Sequence, residues 1–234
     1  MVRVKELLIA AAHKADYLML KCFGKMLIRS KGIRKVHFSI DDVFNMVEDE
    51  HSCIMDDLCR LNFEYGLISH LFLFYNHDGN VLKKISAPLK NLKYIDYGAH
   101  QAEYIAETYK VIGSGSISEY VRLHEFKASP EQVSSLKKYG VRGGVLTADS
   151  KTRFSYGLKE ENCRRVSSGS TVEVDGMRYL KTDIRLEKNV FYQLLNKPKN
   201  NTLVVFTHET KYKLVSKKLD LLCKLFYQVD LEFI

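Results

Sequence analysis

Acidic and basic side chains that fall on one short hairpin are the first candidates for chemistry. Asp149 precedes the stretch Val172-Glu-Val-Asp175, in which Glu173 and Asp175 alternate with valines, and Lys181 follows farther along. Two such acids could hold a Mg²⁺ ion that activates water for attack on a phosphodiester. That chemistry calls for a lysine two residues after the glutamate; Asp175 stands there, so Lys181 would have to serve. The same acids serve equally well as the polar side of an exposed hairpin. His208-Glu209 opens the last helix and offers an acid–base pair, or a charge that compensates the helix dipole. His51, Cys53, Cys59 and His70 are zinc-type donors, but their spacing matches no common ligand pattern. The chain has no phosphate loop, dinucleotide glycine motif, zincin pair or nucleophile elbow.

The elements that must position such residues start from ordinary material. Hydrophobic residues make up 46% of the 234 positions and charged residues 27%, which suits a folded chain with a real core. The net charge of +8 favours polyanionic partners. Five cysteines without a CxxC pair read as buried thiols in a reducing, cytoplasmic setting. The apolar run Leu7–Ala12 is too short for a secretory leader, and no run approaches the length of a membrane span, so no membrane partner is expected.

Residues 3–30 read as one helix, with a break expected near Asp16. Val4, Leu8, Ala11, Ala15, Leu18 and Cys22 form one apolar stripe, and Leu20, Phe23 and Leu27 a second. One stripe packs on the core; the other meets a second copy or another partner, or the helix is buried on both sides. Lys35–Phe38 reads extended. Ser39 with Asp42 three residues on has the form of a helix N-cap, predicting a helix through Val43, Phe44 and Val47. Ser52 caps a further helix through Ile54, Leu58 and Leu61, which Gly66 ends. Residues 67–75 read as a strand, Asn76–Asn80 as a tight turn, and Val81–Ser86 as the returning strand.

Capped helix, turn, capped helix and Gly-Leu-Ile leading into a hairpin resemble the winged helix-turn-helix superfamily over about residues 10–86. The resemblance implies DNA docking, with Ser52, Met55, Asp56 and Arg60 outward on the reading helix. The wing would add His77, Asn80, Lys83 and Lys84. Charge departs from that pattern. Residues 36–75 carry one basic residue against eight acidic ones, net −7, while residues 1–35 carry nine against two, net +7. Three readings stay open: DNA faces Arg29, Arg34, Lys35 and the wing lysines; the acidic 41–57 segment meets a basic protein; or acidic and basic helices pair inside a dimer.

Gly98–Val111 reads as helix, and Gly113-Ser-Gly-Ser116, without a following lysine, as a linker dividing 1–112 from 113–234. Beyond it come a helix opening at Pro130, an extended Gly144–Thr147 and a hairpin over 171–184. Leu203–Phe206, a helix near 209–227 and Val229–Ile234 make a strand-helix-strand unit. In that helix Val215, Leu219, Leu222 and Phe226 are buried, with Lys217, Lys218 and Lys224 outside. Arg142, Arg153, Arg164 and Arg165 lie among Tyr139, Phe154 and Tyr156, a composition suited to phosphate clamping and base stacking or to a solvated basic face. The expected fold class is α+β, a winged helix followed by a mixed α/β domain. The expected role is a homodimeric, non-enzymatic DNA-binding regulator or replication or partition accessory without a cofactor. A Mg²⁺-dependent nuclease and a protein-interaction module are the alternatives.

Overall fold

Val36–Ile40, Leu71–Leu73 and Leu203–Phe206 are buried at every position. Strands read this way when helices cover one face and a packed interior the other. The computed structural model describes residues 2–43, 52–74, 95–99, 105–112, 114–147 and 156–234. Helix α1 (Val2–Ser30) leads into β1 (Lys35–Val43), α2 (Ser52–Tyr65), β2 (Ser69–Leu73), β3 (Ile95–Ala99) and α3 (Ile105–Ile112). Then come β4 (Tyr120–Val121), α4 (Pro130–Leu136), β5 (Gly144–Leu146), α5 (Glu160–Ser167) and the hairpin β6 (Val172–Val174) with β7 (Met177–Leu180). The chain ends with β8 (Ile184–Arg185), α6 (Val190–Asn196), β9 (Thr202–His208), α7 (Tyr212–Gln228) and β10 (Glu232–Phe233).

All pairings but β6–β7 are parallel. One sheet runs β3-β2-β1-β9-β8 and the other β4-β5-β7-β6. Strands β7 and β8 are two parts of one extended stretch that leaves β5 and joins β9. Strand β3 packs against β4 on the opposite side. The strands therefore ring an interior, as in a β/α barrel. Parity along each strand separates two cores. Val36, Phe38, Ile40, Leu203 and Val205 face outward into the main cluster beneath the helices. Phe72, Tyr120, Leu146, Leu180 and Val204 form a separate cluster inside the ring.

The architecture is mixed α/β, and it differs from expectation at its N-terminal third. Ser39–Val43 is strand where a helix was expected, because β1 lies between β2 and β9 and is paired along both edges. The apparent cap Ser39/Asp42 belongs to a strand end. Strand β2 likewise has β1 on one edge and β3 on the other, so a hairpin partner from 81–86 has no free edge to take. The described elements therefore do not form a winged helix-turn-helix; residues 81–86 themselves lie outside the described residues. Ile95–Ala99 is strand and Ile105–Ile112 helix, where Gly98–Val111 was expected to be helical throughout. The boundary expected at Gly113 falls within the ring, since β1 pairs with β9 across it.

Other expectations hold. Helix α2 opens at Ser52, and Gly66 follows its end with φ +75. Ser129 and Gln132 form a full capping box before Pro130. The 172–180 hairpin and the strand-helix-strand unit at the C-terminus are present. Helix α1 runs unbroken through Asp16, because that carboxylate is used across the fold: it accepts from the N–H groups of Val190 (3.0 Å) and Phe191 (2.8 Å), capping α6. Lys218, expected outside, is buried beside it. Its Nζ lies 2.7 Å from Asp16 and donates to the carbonyls of Leu186 (3.1 Å) and Lys188 (3.0 Å). A long side chain reaches a buried acid that periodicity alone does not reveal. Among the described residues no helix is long and apolar enough to cross a membrane.

Candidate active site at the C-terminal mouth of the barrel

Parallel strands bring their C-terminal ends to one mouth, where β/α barrels carry their chemistry. Here those ends are Asp41 and Asp42 from β1, Arg122 and His124 after β4, Arg185 and Glu187 from β8, and His208 from β9. Asp41 and His208 end long buried strands, so strand burial fixes their positions.

Adjacent residues on a strand normally face opposite ways, yet both aspartates serve the same end of the ring. The β1–β2 register shifts between Ile40 and Val43, and Asp42 has φ +53. A bulge of this kind re-aims a side chain, and a non-glycine residue in the left-handed region is common at functional sites. Asp41 points inward and is buried. The Arg122 Nη1 donates to both of its oxygens, at 2.8 and 2.9 Å, and to Ser39 Oγ at 3.0 Å, while Nη2 donates to Thr182 Oγ1 at 2.7 Å. The guanidinium also lies 4.3 Å from the centre of the Phe206 ring. Arg122 thus ties β1, β4 and the β7–β8 stretch together beneath the mouth.

Asp42 faces His208 instead, with Oδ2 3.9 Å from Nε2. The other ring nitrogen, Nδ1, lies 2.9 Å from Glu187 Oε1, which also accepts from the His208 N–H (3.0 Å) and the Thr207 hydroxyl (3.1 Å). Burial pushes the Glu187 carboxyl up, but the hydrogen bonds from His208 and the backbone outweigh it and hold the group at about 2. An ionised carboxylate accepts only, while Arg185 Nη2 lies 3.4 Å from the same Nδ1 as a donor; the shorter Glu187 contact favours the tautomer with its proton on Nδ1. In the neutral ring Nε2 then presents a lone pair towards the Asp42 carboxylate.

Nε2 and the Asp42 carboxylate stand 3.9 Å apart. Their separation exceeds a hydrogen bond. It fits one water that donates to each group, or a cation that each group ligates. The Glu187–His208 contact is also how a metal-bound histidine is oriented from behind. Among the described residues no group of three possible metal donors occurs.

The residues singled out from the sequence land elsewhere. Arg29 and Arg34 are exposed at the turn from α1 into β1, and Lys35 beside them pairs with Glu232 at 3.2 Å. Ser52 opens α2, and Arg60 on that helix is held by Asp57 (2.6 Å), Glu64 (2.9 Å) and Asp220 (2.9 Å) rather than left for phosphate. Arg142 is exposed before β5, whereas Tyr156 is buried with its hydroxyl on the Leu146 carbonyl, so it cannot stack on a base. Glu173 sits on the edge strand β6 opposite Arg178, and Asp175 occupies the hairpin turn. Lys181 follows the far end of β7, so this hairpin does not set it beside Glu173 and Asp175. Asp149, Arg153, Lys83 and Lys84 lie outside the described residues. Of the zinc-type set, His70 is inside the barrel and Cys59 on α2, and they do not meet.

His208 was visible in the sequence, but its partner is Glu187 and not the adjacent Glu209, which is buried. The aspartates were visible only as charge. The missed signal was that Asp41-Asp42 and His208 each stand at the end of a buried strand. Two cavities lie away from the mouth: one of about 500 Å³ between α4 and the hairpin, and one of about 550 Å³ bordered by Lys35, His70 and Tyr120. No family model, curated protein or solved structure matches this chain.

Proposed function

We propose that this chain is a hydrolase that works at the C-terminal mouth of the barrel, on an acyl or phosphoryl bond. The observation that carries this reading is the Asp42–His208 pair, a carboxylate and an imidazole nitrogen set 3.9 Å apart with Glu187 hydrogen-bonded to the other ring nitrogen. A water seated between them passes a proton to His208 Nε2 as it attacks, Asp42 holding its other hydrogen, and the imidazolium so formed gives that proton to the leaving group. Glu187 keeps the ring in the required tautomer, and its charge stabilises the imidazolium as it forms. Asp41 and Arg122 hold the β1 bulge in place and so aim Asp42. The net charge of +8 favours substrates that carry negative charge.

A divalent cation on Asp42 and His208 is the second reading, favoured by the carboxylate behind the histidine. A panel of chromogenic esters, amides and phosphoesters, with and without chelator, tests both. Turnover lost in Asp42→Asn and in His208→Gln supports the site, and loss on chelation selects the cation. Turnover unchanged in both variants removes the reading. DNA docking, expected from the sequence, keeps the basic charge as its support; a gel shift at two salt concentrations tests it separately.

A further inference from the structure

Helix α1 has three faces, and the fold uses only one of them. Asp16, Leu20, Gly24, Leu27 and Ile28 are buried against the body of the protein. A second sector exposes large apolar side chains: Leu18 at 50%, Met19 at 40%, Phe23 at 45% and Met26 at 67%. At 100° per residue these span roughly 140° of the helix surface. Helix α6 extends the patch, since Phe191 packs on Phe23 with ring centres 6.4 Å apart and Leu195, one turn on, is 51% exposed. The third sector holds Lys14, Lys21, Lys25 and Arg29, all exposed. Between residues 9 and 30 the only carboxylate is the buried Asp16.

Apolar and basic sectors side by side, without an exposed acid, narrow the occupant. A second copy docking by the same face would bring two basic sectors together with nothing to neutralise them. Duplex DNA would satisfy the lysines and leave Phe23 and Met26 against water. An anionic lipid surface satisfies both, with apolar side chains entering the acyl boundary and lysines meeting headgroup phosphates. We propose that α1 lies flat on an anionic membrane surface through Leu18, Met19, Phe23 and Met26, flanked by its lysines, without crossing it. This is independent of the chemistry at the mouth.

Sedimentation of the whole chain with phosphatidylcholine vesicles, with and without about one-third phosphatidylserine, tests it. The protein is expected to pellet with the anionic vesicles, at least about tenfold less with neutral ones, and to be released by salt. Lys21→Gln with Lys25→Gln lowers the partition coefficient by about tenfold or more, near fivefold per lysine. Phe23→Ser with Met26→Ser lowers it comparably. All four side chains are exposed, so the thermal melt stays within a few degrees of the parent and vouches for folding. Absence of pelleting, equal pelleting with neutral vesicles, or unchanged partitioning of both variants overturns the proposal. So does a concentration-dependent dimer that Phe23→Ser abolishes, which assigns the face to a second copy. Binding to duplex DNA but not to vesicles, lost in the lysine variant, overturns it as well.

Discussion

The two ends of the barrel both carry histidine, and they treat it in opposite ways. At the C-terminal mouth His208 has an ionised carboxylate on one nitrogen and another facing the second. Near the N-terminal ends His37 and His70 are fully buried, stacked 4.2 Å apart, with Tyr120 4.5 Å from His37. His70 accepts at Nδ1 from Ser118 (2.8 Å), whose oxygen takes the Tyr120 N–H, and donates from Nε2 to the Ile234 carbonyl (3.0 Å). Burial holds His70 at about 4, and burial with its neighbours holds His37 well below 6.5. One end sets an imidazole between two carboxylates; the other buries two imidazoles in a core. A histidine marks chemistry by the charge of its partners, not by its presence.

The largest effect is expected where the mouth is anchored. Arg122→Met leaves Asp41 buried without its cation, and breaking such a pair costs about 3–5 kcal/mol, read from denaturant unfolding. A loss below about 1 kcal/mol would mean that the mouth does not depend on this tie. Acid separates the two ends next. His70 titrates near 6.5 when unfolded and near 4 when folded, so its contribution is complete above 6.5 and lost as the pH falls towards 4. That contribution is of order 3 kcal/mol, and His70→Asn flattens the melting curve against pH across this window. Glu187 works lower: its stabilisation is present above 4.5 and lost as the pH falls towards 2. Glu187→Gln flattens only that lower window, costing about 1–3 kcal/mol at neutral pH, and lowers turnover at least about a hundredfold by freeing the ring. The smallest effect on stability falls on the residue closest to the chemistry. Asp42→Gly relieves φ +53 and changes stability by less than about 1 kcal/mol, while abolishing turnover.

The C-terminal half was legible because its elements obey local rules. The helix start at Pro130, the Asp175-Gly176 turn and the stripe of α7 each declare themselves within a few residues. The N-terminal third was not. Ser39-x-x-Asp42 has the form of a cap, and only the pairing of β1 with β9, far along the chain, makes it a strand end. Parallel strands lack local partners, and their apolar runs look like buried helix. The site suffers most from this, because Asp42, Glu187 and His208 come from three strand ends that sequence distance keeps apart. Asp42 and His208 end strong apolar strands, whereas Glu187 stands in the mixed stretch Asp183-Ile-Arg-Leu-Glu187, which carries no such sign.

The contrast between the two ends is tested most directly by comparing His208→Asn with His70→Asn on whichever substrate the parent chain hydrolyses. The account predicts that His208→Asn melts like the parent but loses turnover, and that His70→Asn melts lower but turns over normally while folded. Turnover retained in His208→Asn, or lost in folded His70→Asn, would contradict it.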